Sequence, residues 1–446
     1  MIIAKRLKGK AIAAWLGTTG DAVRGAVTSL RERVTHAPRR LDFYVDLADP
    51  WSYLTAQAVH RLVEAYPVEL AVHIVTPPAS DVDPAPLLRI KHAVRDAQQL
   101  AEYWDLDFPG KREADPGMVR DVGTAMVRER PAADQLRAVL ELTRALWVND
   151  RKQLAPLLKT WGTESHGSIA PILNENYAQL RKAGHYQGAM VSYKDTWYWG
   201  VDRLIYLEVE LARDLATEVS DVVTRRPEAD RGPLKLSDKP LTCELWYSFR
   251  SPYSYLALEQ IEGVLAPYQI PLVLRPVAPL VTRGLALPNV KRMYIVRDAK
   301  READRLGIAF GELCDPLGKG VENCLAIAHW AGKRGGDAAL AFARSAMRGI
   351  WTEARDVAEY VDLRHIVERA GLPWEEARAA LGDTEAAQKA ATVNAADMAV
   401  INLWGVPSLR CGDFVAWGQD RLPLLADRLR RHALASTAEV PDTIGR

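Results

Sequence analysis

Apolar and polar positions alternate along Leu41-Asp42-Phe43-Tyr44-Val45-Asp46-Leu47, the pattern of a half-buried strand. Leu241–Tyr247 carries a comparable run in the second half of the chain. Each run leads into a proline, Pro50 or Pro252, that suits the first turn of a helix. From Pro252 the apolar positions Tyr255, Leu258, Ile261, Val264 and Leu265 recur three and four residues apart, which predicts an amphipathic helix. A second strand is expected at Val68–Val75 and again at Ile270–Val277. A strand, helix and strand in this order form a crossover long enough for the strands to be parallel. A long helical pattern follows, which in the second half includes Val296–Leu306 and Leu325–Ala346. The turn residues Gly412-Asp413, set between Gly405–Cys411 and Phe414–Trp417, predict a hairpin, and Leu422, Leu425 and Leu429 mark a last helix.

The two halves repeat one another. Asp49-Pro50-Trp51-Ser52-Tyr53-Leu54 returns 202 residues later as Ser251-Pro252-Tyr253-Ser254-Tyr255-Leu256. The same offset pairs Tyr66 with Tyr268, Pro86 with Pro288, and Val94-Arg95-Asp96-Ala97 with Val296-Arg297-Asp298-Ala299. Trp199-Gly200-Val201-Asp202-Arg203-Leu204 matches Trp417-Gly418-Gln419-Asp420-Arg421-Leu422 at an offset of 218, so the second copy is longer in between. The expected division is an N-terminal helical extension over 1–39, a first copy over 40–213, a linker over 214–239, a second copy over 240–433 and a tail over 434–446. In the extension, Val23, Val27, Leu30 and Val34 fit one helical face.

Composition narrows the field of functions. The 446 residues include 58 Lys and Arg against 57 Asp and Glu, a balance that argues against a nucleic-acid groove. No apolar run reaches the roughly 18–20 residues of a membrane span. The N-terminus lacks the pattern of a secretory signal, so a cytoplasmic protein is expected. None of Cys243, Cys314, Cys324 and Cys411 forms a CxxC or has metal-ligand spacing, which points to free, structural thiols and no metal.

Several pieces of the second copy together resemble the DsbA-like branch of the thioredoxin superfamily. They are Ser251–Leu256, Lys291-Arg292-Met293-Tyr294 with Asp298, Asn394, Gly405-Val406-Pro407 and Trp417–Leu422. Within that branch the second copy is similar to the 2-hydroxychromene-2-carboxylate isomerases and the kappa-class glutathione transferases. The fold implied is α/β: two tandem thioredoxin-like domains of DsbA type, each with a helical insertion. Family members pair as homodimers, which implies that the two copies pack as a pseudo-dimer within one chain. The cofactor implied is glutathione and the substrate an aromatic or conjugated small molecule. A kappa-type transferase or peroxidase, and a non-catalytic thioredoxin-fold binding protein, stay open as alternatives.

Where redox members of the superfamily open this helix with Cys-x-x-Cys, the chain has Ser251 and Ser254, which excludes dithiol exchange there. Ser before Pro is also a good helix cap. The resemblance gives the Ser251 hydroxyl the role of donor to the thiolate of glutathione. A charge-assisted hydrogen bond of about 1.5–3 kcal/mol would bring a thiol of pKa near 8.5 down to roughly 6.5–7.5. The resemblance makes Pro407 cis and offers the Val406 backbone to a peptide-like ligand. It assigns Asp420 and Arg421 to the γ-glutamyl end, and Lys291 and Asn394 to the lining of the site. Each has a plainer reading: Asp420 and Asn394 as helix caps, Arg421 and Lys291 as solvated cations. Arg250 is a candidate attractor for an anionic substrate, and Tyr247, Phe249, Tyr253 and Trp404 candidates for an aromatic wall. The first copy has Asp49 in place of Ser251, and Met190 is read as the counterpart of Pro407. An anion beside a thiolate is repelled by about 4 kcal/mol at an effective dielectric near 20. The first copy is therefore expected to be catalytically silent.

Overall fold

The computed structural model describes residues 39–223, 232–284 and 287–438. The helix expected in the N-terminal extension lies outside them, as does most of the tail. Contacts divide the described chain into two units, one made of 39–223 with 288–294, the other of the remaining residues.

The N-terminal unit is built on β1 (Arg40–Asp46), α1 (Pro50–Ala65) and β2 (Glu69–Val75). Five helices follow: α2 (Pro86–Trp104), α3 (Pro116–Met126), α4 (Ala132–Val148), α5 (Arg151–Trp161) and α6 (Ile169–Ala183). The hairpin β3 (Met190–Tyr193) and β4 (Thr196–Trp199) and the helix α7 (Val201–Leu215) close it. The C-terminal unit starts with β5 (Cys243–Tyr247), α8 (Pro252–Leu265) and β6 (Leu272–Pro276). Its helical insertion comprises α9 (Asn289–Leu306), α10 (Lys319–Arg334), α11 (Gly336–Thr352), α12 (Tyr360–Arg369), α13 (Trp374–Ala380) and α14 (Thr384–Val400), the first turn of α9 being counted with the other unit. The hairpin β7 (Ser408–Cys411) and β8 (Phe414–Trp417) and the helix α15 (Leu422–Ala438) end it.

The two four-stranded sheets have the same order, β2-β1-β3-β4 and β6-β5-β7-β8. In each the first two strands are parallel and the hairpin is antiparallel to the first. The sequence alternation located β1 and β5, but burial does not alternate: Leu41, Phe43 and Val45 are fully buried, Tyr44 and Asp46 nearly so, and all five residues of β5 are buried, because both faces of these central strands are covered. α8 turns Tyr255, Leu258, Ile261 and Leu265 into the core. Each such large side chain contributes about 1.5–3 kcal/mol when fully buried.

The helical pattern over Leu325–Ala346 is not one helix. It breaks between α10 and α11 at Gly335, whose φ of 127° no side-chain-bearing residue adopts readily. Apolar spacing runs on across the Gly335-Gly336 pair because both helices pack on the same core, so periodicity alone conceals the break.

Candidate functional site

β5 delivers the chain to Ser251, which caps α8 in extended geometry (φ −108°, ψ 115°). Its Oγ accepts from the Ser254 backbone N–H at 3.2 Å and donates to the Val406 carbonyl at 3.2 Å. The serine therefore sits where the partial positive charge of a helix N-terminus favours an anion. The Val406–Pro407 peptide is cis. Gly418 N–H holds the Pro407 carbonyl at 2.9 Å, and Ser408 Oγ donates to the Gly405 carbonyl at 2.6 Å. Gly405 is needed for a close approach: a Cβ there would stand 2.6 Å from the Trp417 indole nitrogen. Trp417 in turn stacks at 4.8 Å, tilted, on Trp404.

The remaining expected residues fall around this turn to different degrees. Asn394, on α14, donates from its amide to the Pro276 carbonyl at 2.9 Å, and its own carbonyl accepts from Trp246 Nε1 at 2.8 Å. It ties the end of β6 to the helical insertion. Register places Trp417 opposite Ser408, so Asp420 and Arg421 follow closely on the Gly418–Pro407 contact. Arg421 is 3% exposed and pairs with Asp420 at 3.3 Å. Lys291 is in the N-terminal unit: its ammonium donates to the Val82 carbonyl at 2.8 Å and stands 5.7 Å from the Tyr186 ring centre. Burial lowers its pKa to about 8, with Asp83 opposing and Arg89 adding to the shift.

Of the aromatic wall, Tyr247 and Phe249 are core residues at 1% and 0% exposure. Their apolar bulk fills the space behind the sheet instead of lining a ligand surface. Tyr253 has a specific partner, donating its hydroxyl to Asp298 at 2.7 Å. The equivalent residues in the N-terminal unit repeat the bond with another donor, Trp51 Nε1 to Asp96 at 2.8 Å. Asp96 and Asp298 thus anchor the start of α1 and α8, which gives their recurrence a structural reason. Arg250 is engaged by Asp315 in a two-pronged ion pair at 2.7 and 2.8 Å.

Sequence reading missed Arg283. It lies between β6 and α9 and donates to the Trp404 carbonyl at 3.0 Å, two residues before Val406. Its Nε is buried without a hydrogen-bond partner, and burial lowers its pKa. No spacing marks it, because the loop around the turn is assembled from distant segments.

In the N-terminal unit, Asp49 caps α1 and accepts from Trp51 N–H at 3.2 Å and from Ser52 Oγ at 3.1 Å. Ser52 Oγ accepts from the N–H groups of Asp46 at 3.1 Å and Ala189 at 2.9 Å. The counterpart of Pro407 is Ala189, not Met190: Gly200 N–H holds the Ala189 carbonyl as Gly418 holds that of Pro407. Met190 begins β3 as Ser408 begins β7. The offset of 218 that matches Trp199 with Trp417 also carries Pro407 onto Ala189, and the strand register agrees. Asp49 and Asp46 are both buried. Desolvation pushes both carboxyls above the usual range, Asp49 also feeling Asp46, while Arg89 opposes both shifts. Among the described residues, no group of three or more His, Cys, Asp or Glu is placed to hold a metal, and no helix is long and apolar enough to cross a membrane.

A family model, the DSBA-like thioredoxin domain, matches residues 242–430. The C-terminal part therefore carries a DsbA-like thioredoxin fold, in a mixed α/β protein with two four-stranded sheets. No curated protein matches the chain. Among solved structures, a 2-hydroxychromene-2-carboxylate isomerase is similar at 20% identity and TM-score 0.39, covering 45% of this chain and 99% of its own. A probable DsbA oxidoreductase from Streptomyces coelicolor is similar at 19% identity and TM-score 0.36, over 46% of this chain and 94% of its own. The cytosolic disulfide reductase DsbM from Pseudomonas aeruginosa, also solved with GSH, is similar at 16% identity and TM-score 0.35, over 44% of this chain and 98% of its own.

Proposed function

We propose that the C-terminal unit is a glutathione-dependent isomerase acting on an aromatic or conjugated small molecule, with Ser251 as its catalytic residue. The observation that carries this reading is the placement of Ser251. A hydroxyl, in a fold whose redox members use a thiol there, stands at a helix N-terminus and touches the carbonyl of a cis-proline turn.

The residues present suit the tripeptide. Ser251 has a donor that can be re-aimed, since its bond to Val406 is long at 3.2 Å. The Val406 backbone is presented by the turn for strand-like pairing, and Asp420 with Arg421 offers opposite charges to an amino-acid end. The orphaned Nε of Arg283 beside Trp404 is a further donor for a carboxylate. When bound, glutathione supplies a thiolate that adds reversibly to a conjugated double bond and so allows rotation about it. Ser251 turns its proton from the Val406 carbonyl to that sulfur. The helix N-terminus adds positive potential, and together they hold the thiol ionised near neutral pH. Trp417, half-buried and packed on the buried Trp404, gives the turn an apolar flank for a planar ring.

The repeated strand order and the repeated anchoring of α1 and α8 by Asp96 and Asp298 support a tandem duplication, with the N-terminal member silent. Cytoplasmic residence suits four cysteines that carry no disulfide. Calorimetric titration of glutathione into the wild type and Ser251→Ala tests the site. Binding by the wild type with a lowered thiol pKa, and loss of that lowering in the variant, is expected. A wild type that does not bind glutathione overturns the proposal. Turnover of an isomerisation substrate against a conjugation acceptor separates an isomerase from a transferase.

A further inference from the structure

Cys243 and Cys411 face each other directly across β5 and β7. The Cys243 N–H donates to the Pro271 carbonyl at 2.8 Å, and the Tyr247 carbonyl accepts from Val277 N–H at 2.8 Å. The backbone groups of the odd-numbered β5 residues thus point at β6. Those of Cys411, which flanks the Gly412-Asp413 turn opposite Phe414, point at β8. The two cysteines are therefore a non-hydrogen-bonded pair, the kind in which Cα atoms approach to about 4.5 Å and side chains come closest. Disulfides span Cα separations of about 4.4–6.8 Å.

We infer that Cys243 and Cys411 form a reversible cross-strand disulfide, a redox modification site at the end of the sheet remote from Ser251. Both are reduced in this structure. The thiols sense one another: hydrogen bonding to Cys243 holds Cys411 below the usual thiol value, and the same contact raises Cys243. This makes Cys411 the first nucleophile. Both side chains are buried on the two central strands, at the sheet end where Cys243 follows exposed Thr242 and Cys411 precedes exposed Gly412. The irregular segment 233–241 runs beside this end: its Leu236 is buried, and the Leu236 carbonyl takes the Asp413 N–H at 3.3 Å. It is tied down by Leu234 N–H to the Arg431 carbonyl at 3.1 Å and by Leu236 N–H to His432 Nδ1 at 3.2 Å, contacts of an irregular segment that opens more readily than the sheet beside it.

The oxidant is a small-molecule disulfide such as oxidised glutathione. The Cys411 thiolate attacks one of its sulfurs and expels a thiolate. Cys243 then loses its proton and its sulfur attacks Cys411 Sγ, expelling the second thiolate. Two cysteine thiols are oxidised, one disulfide is reduced to two thiols, and the two protons end on those thiols. The inference stands apart from the proposed isomerase chemistry, since it uses neither Ser251 nor the cis-proline turn. The resulting bond would staple the two strands whose other ends carry Ser251 and Val406.

The test is to incubate the full-length native protein with oxidised glutathione, quench with an alkylating agent, denature, count free thiols and map peptides. The expected result is loss of two of the four thiols, a cross-linked peptide pair containing Cys243 and Cys411, and recovery with dithiothreitol. In Cys243→Ser the expected product is a stable glutathione adduct on Cys411, and in Cys411→Ser none on Cys243. Retention of all four thiols by the native wild type, when the guanidinium-unfolded chain is oxidised under the same conditions, overturns the inference. So does a disulfide that joins Cys314 to Cys324 instead, or a wild type that stops at the mixed disulfide.

Discussion

Asp49 and Ser251 cap equivalent helices, and the hydrogen bonds around them run in opposite directions. In the N-terminal unit the turn presents an N–H, that of Ala189, which Ser52 Oγ accepts; Ser52 then gives its own proton to Asp49. The set closes on itself, and Asp49, buried and accepting only, has nothing to donate while ionised. In the C-terminal unit the turn has Pro407, which brings no N–H, and Ser254 Oγ accepts from Ser248 N–H at 3.3 Å. Ser251 keeps a proton that it lends to the Val406 carbonyl. One exchange of residue type at the cap, and one at the turn, separate a sealed acid from a hydroxyl that can serve an incoming anion.

The largest expected effect comes from writing the N-terminal cap into the C-terminal unit. Ser251→Asp still caps α8 but sets a negative charge against the thiolate. A repulsion of about 4 kcal/mol corresponds to a loss near 1,000-fold in kcat/KM for glutathione-dependent turnover, with circular dichroism unchanged. Turnover within tenfold of wild type would break the comparison at its centre.

The reverse graft tests the turn. Ala189→Pro copies Pro407, but Ala189 has a φ of 54°, far from the value near −65° that proline requires, and its N–H is used by Ser52. The expected outcome is a destabilisation of about 3 kcal/mol or more in urea unfolding, without a second glutathione site. A stable variant that binds a second equivalent would show that the N-terminal unit is silent only for want of the proline.

The buried acids give a pH signature. Burial pushes Asp46 up to about 6 and Asp49 up to about 7, against an ordinary value of 3.8. The native state thus holds protons that the unfolded chain releases. Their contribution to stability is complete below about pH 4 and is lost as pH rises through about 7. Asp49→Asn keeps the acceptor for Trp51 N–H and removes the charge. It should unfold about 2–4 kcal/mol later than wild type at pH 8 and nearly with it at pH 4. An advantage independent of pH would mean that the carboxyl is ionised throughout.

The smallest effect is expected where the two units agree. Trp51→Phe and Tyr253→Phe each take one donor from a buried aspartate, Asp96 or Asp298, and should each cost about 1–3 kcal/mol. Unequal costs would sharpen the comparison by showing that one of these aspartates has a second duty.

Much of this was legible in the chain. The alternation of Leu41–Leu47 and the three-and-four spacing of α8 follow from strand and helix geometry, and Ser251 with Pro252 marks a helix start by local chemistry alone. The counterpart of Pro407 was legible too, since the offset of 218 lands on Ala189; placing Met190 there was a one-residue slip that the strand register exposes. The position of Lys291 was not legible: a cation seven residues from Asp298 shares its helix face, yet its ammonium rests on the Val82 carbonyl in the unit that holds Asp49. Arg283, brought to the Trp404 carbonyl from 121 residues away, has no periodic mark at all.

By itself the sequence determined the strand–helix–strand start of each half and the hairpin of the second, that the proline-led motif occurs twice, and that a serine and an aspartate stand before its two prolines. These depend on contacts between near neighbours along the chain, where spacing carries the information. Tertiary structure alone decided which carbonyl the Ser251 proton meets, that Asp49 is sealed and proton-binding, and that two cysteines far apart in sequence face each other across a sheet. Those outcomes depend on burial and on pairing between distant segments, and both are set only when the strands come together.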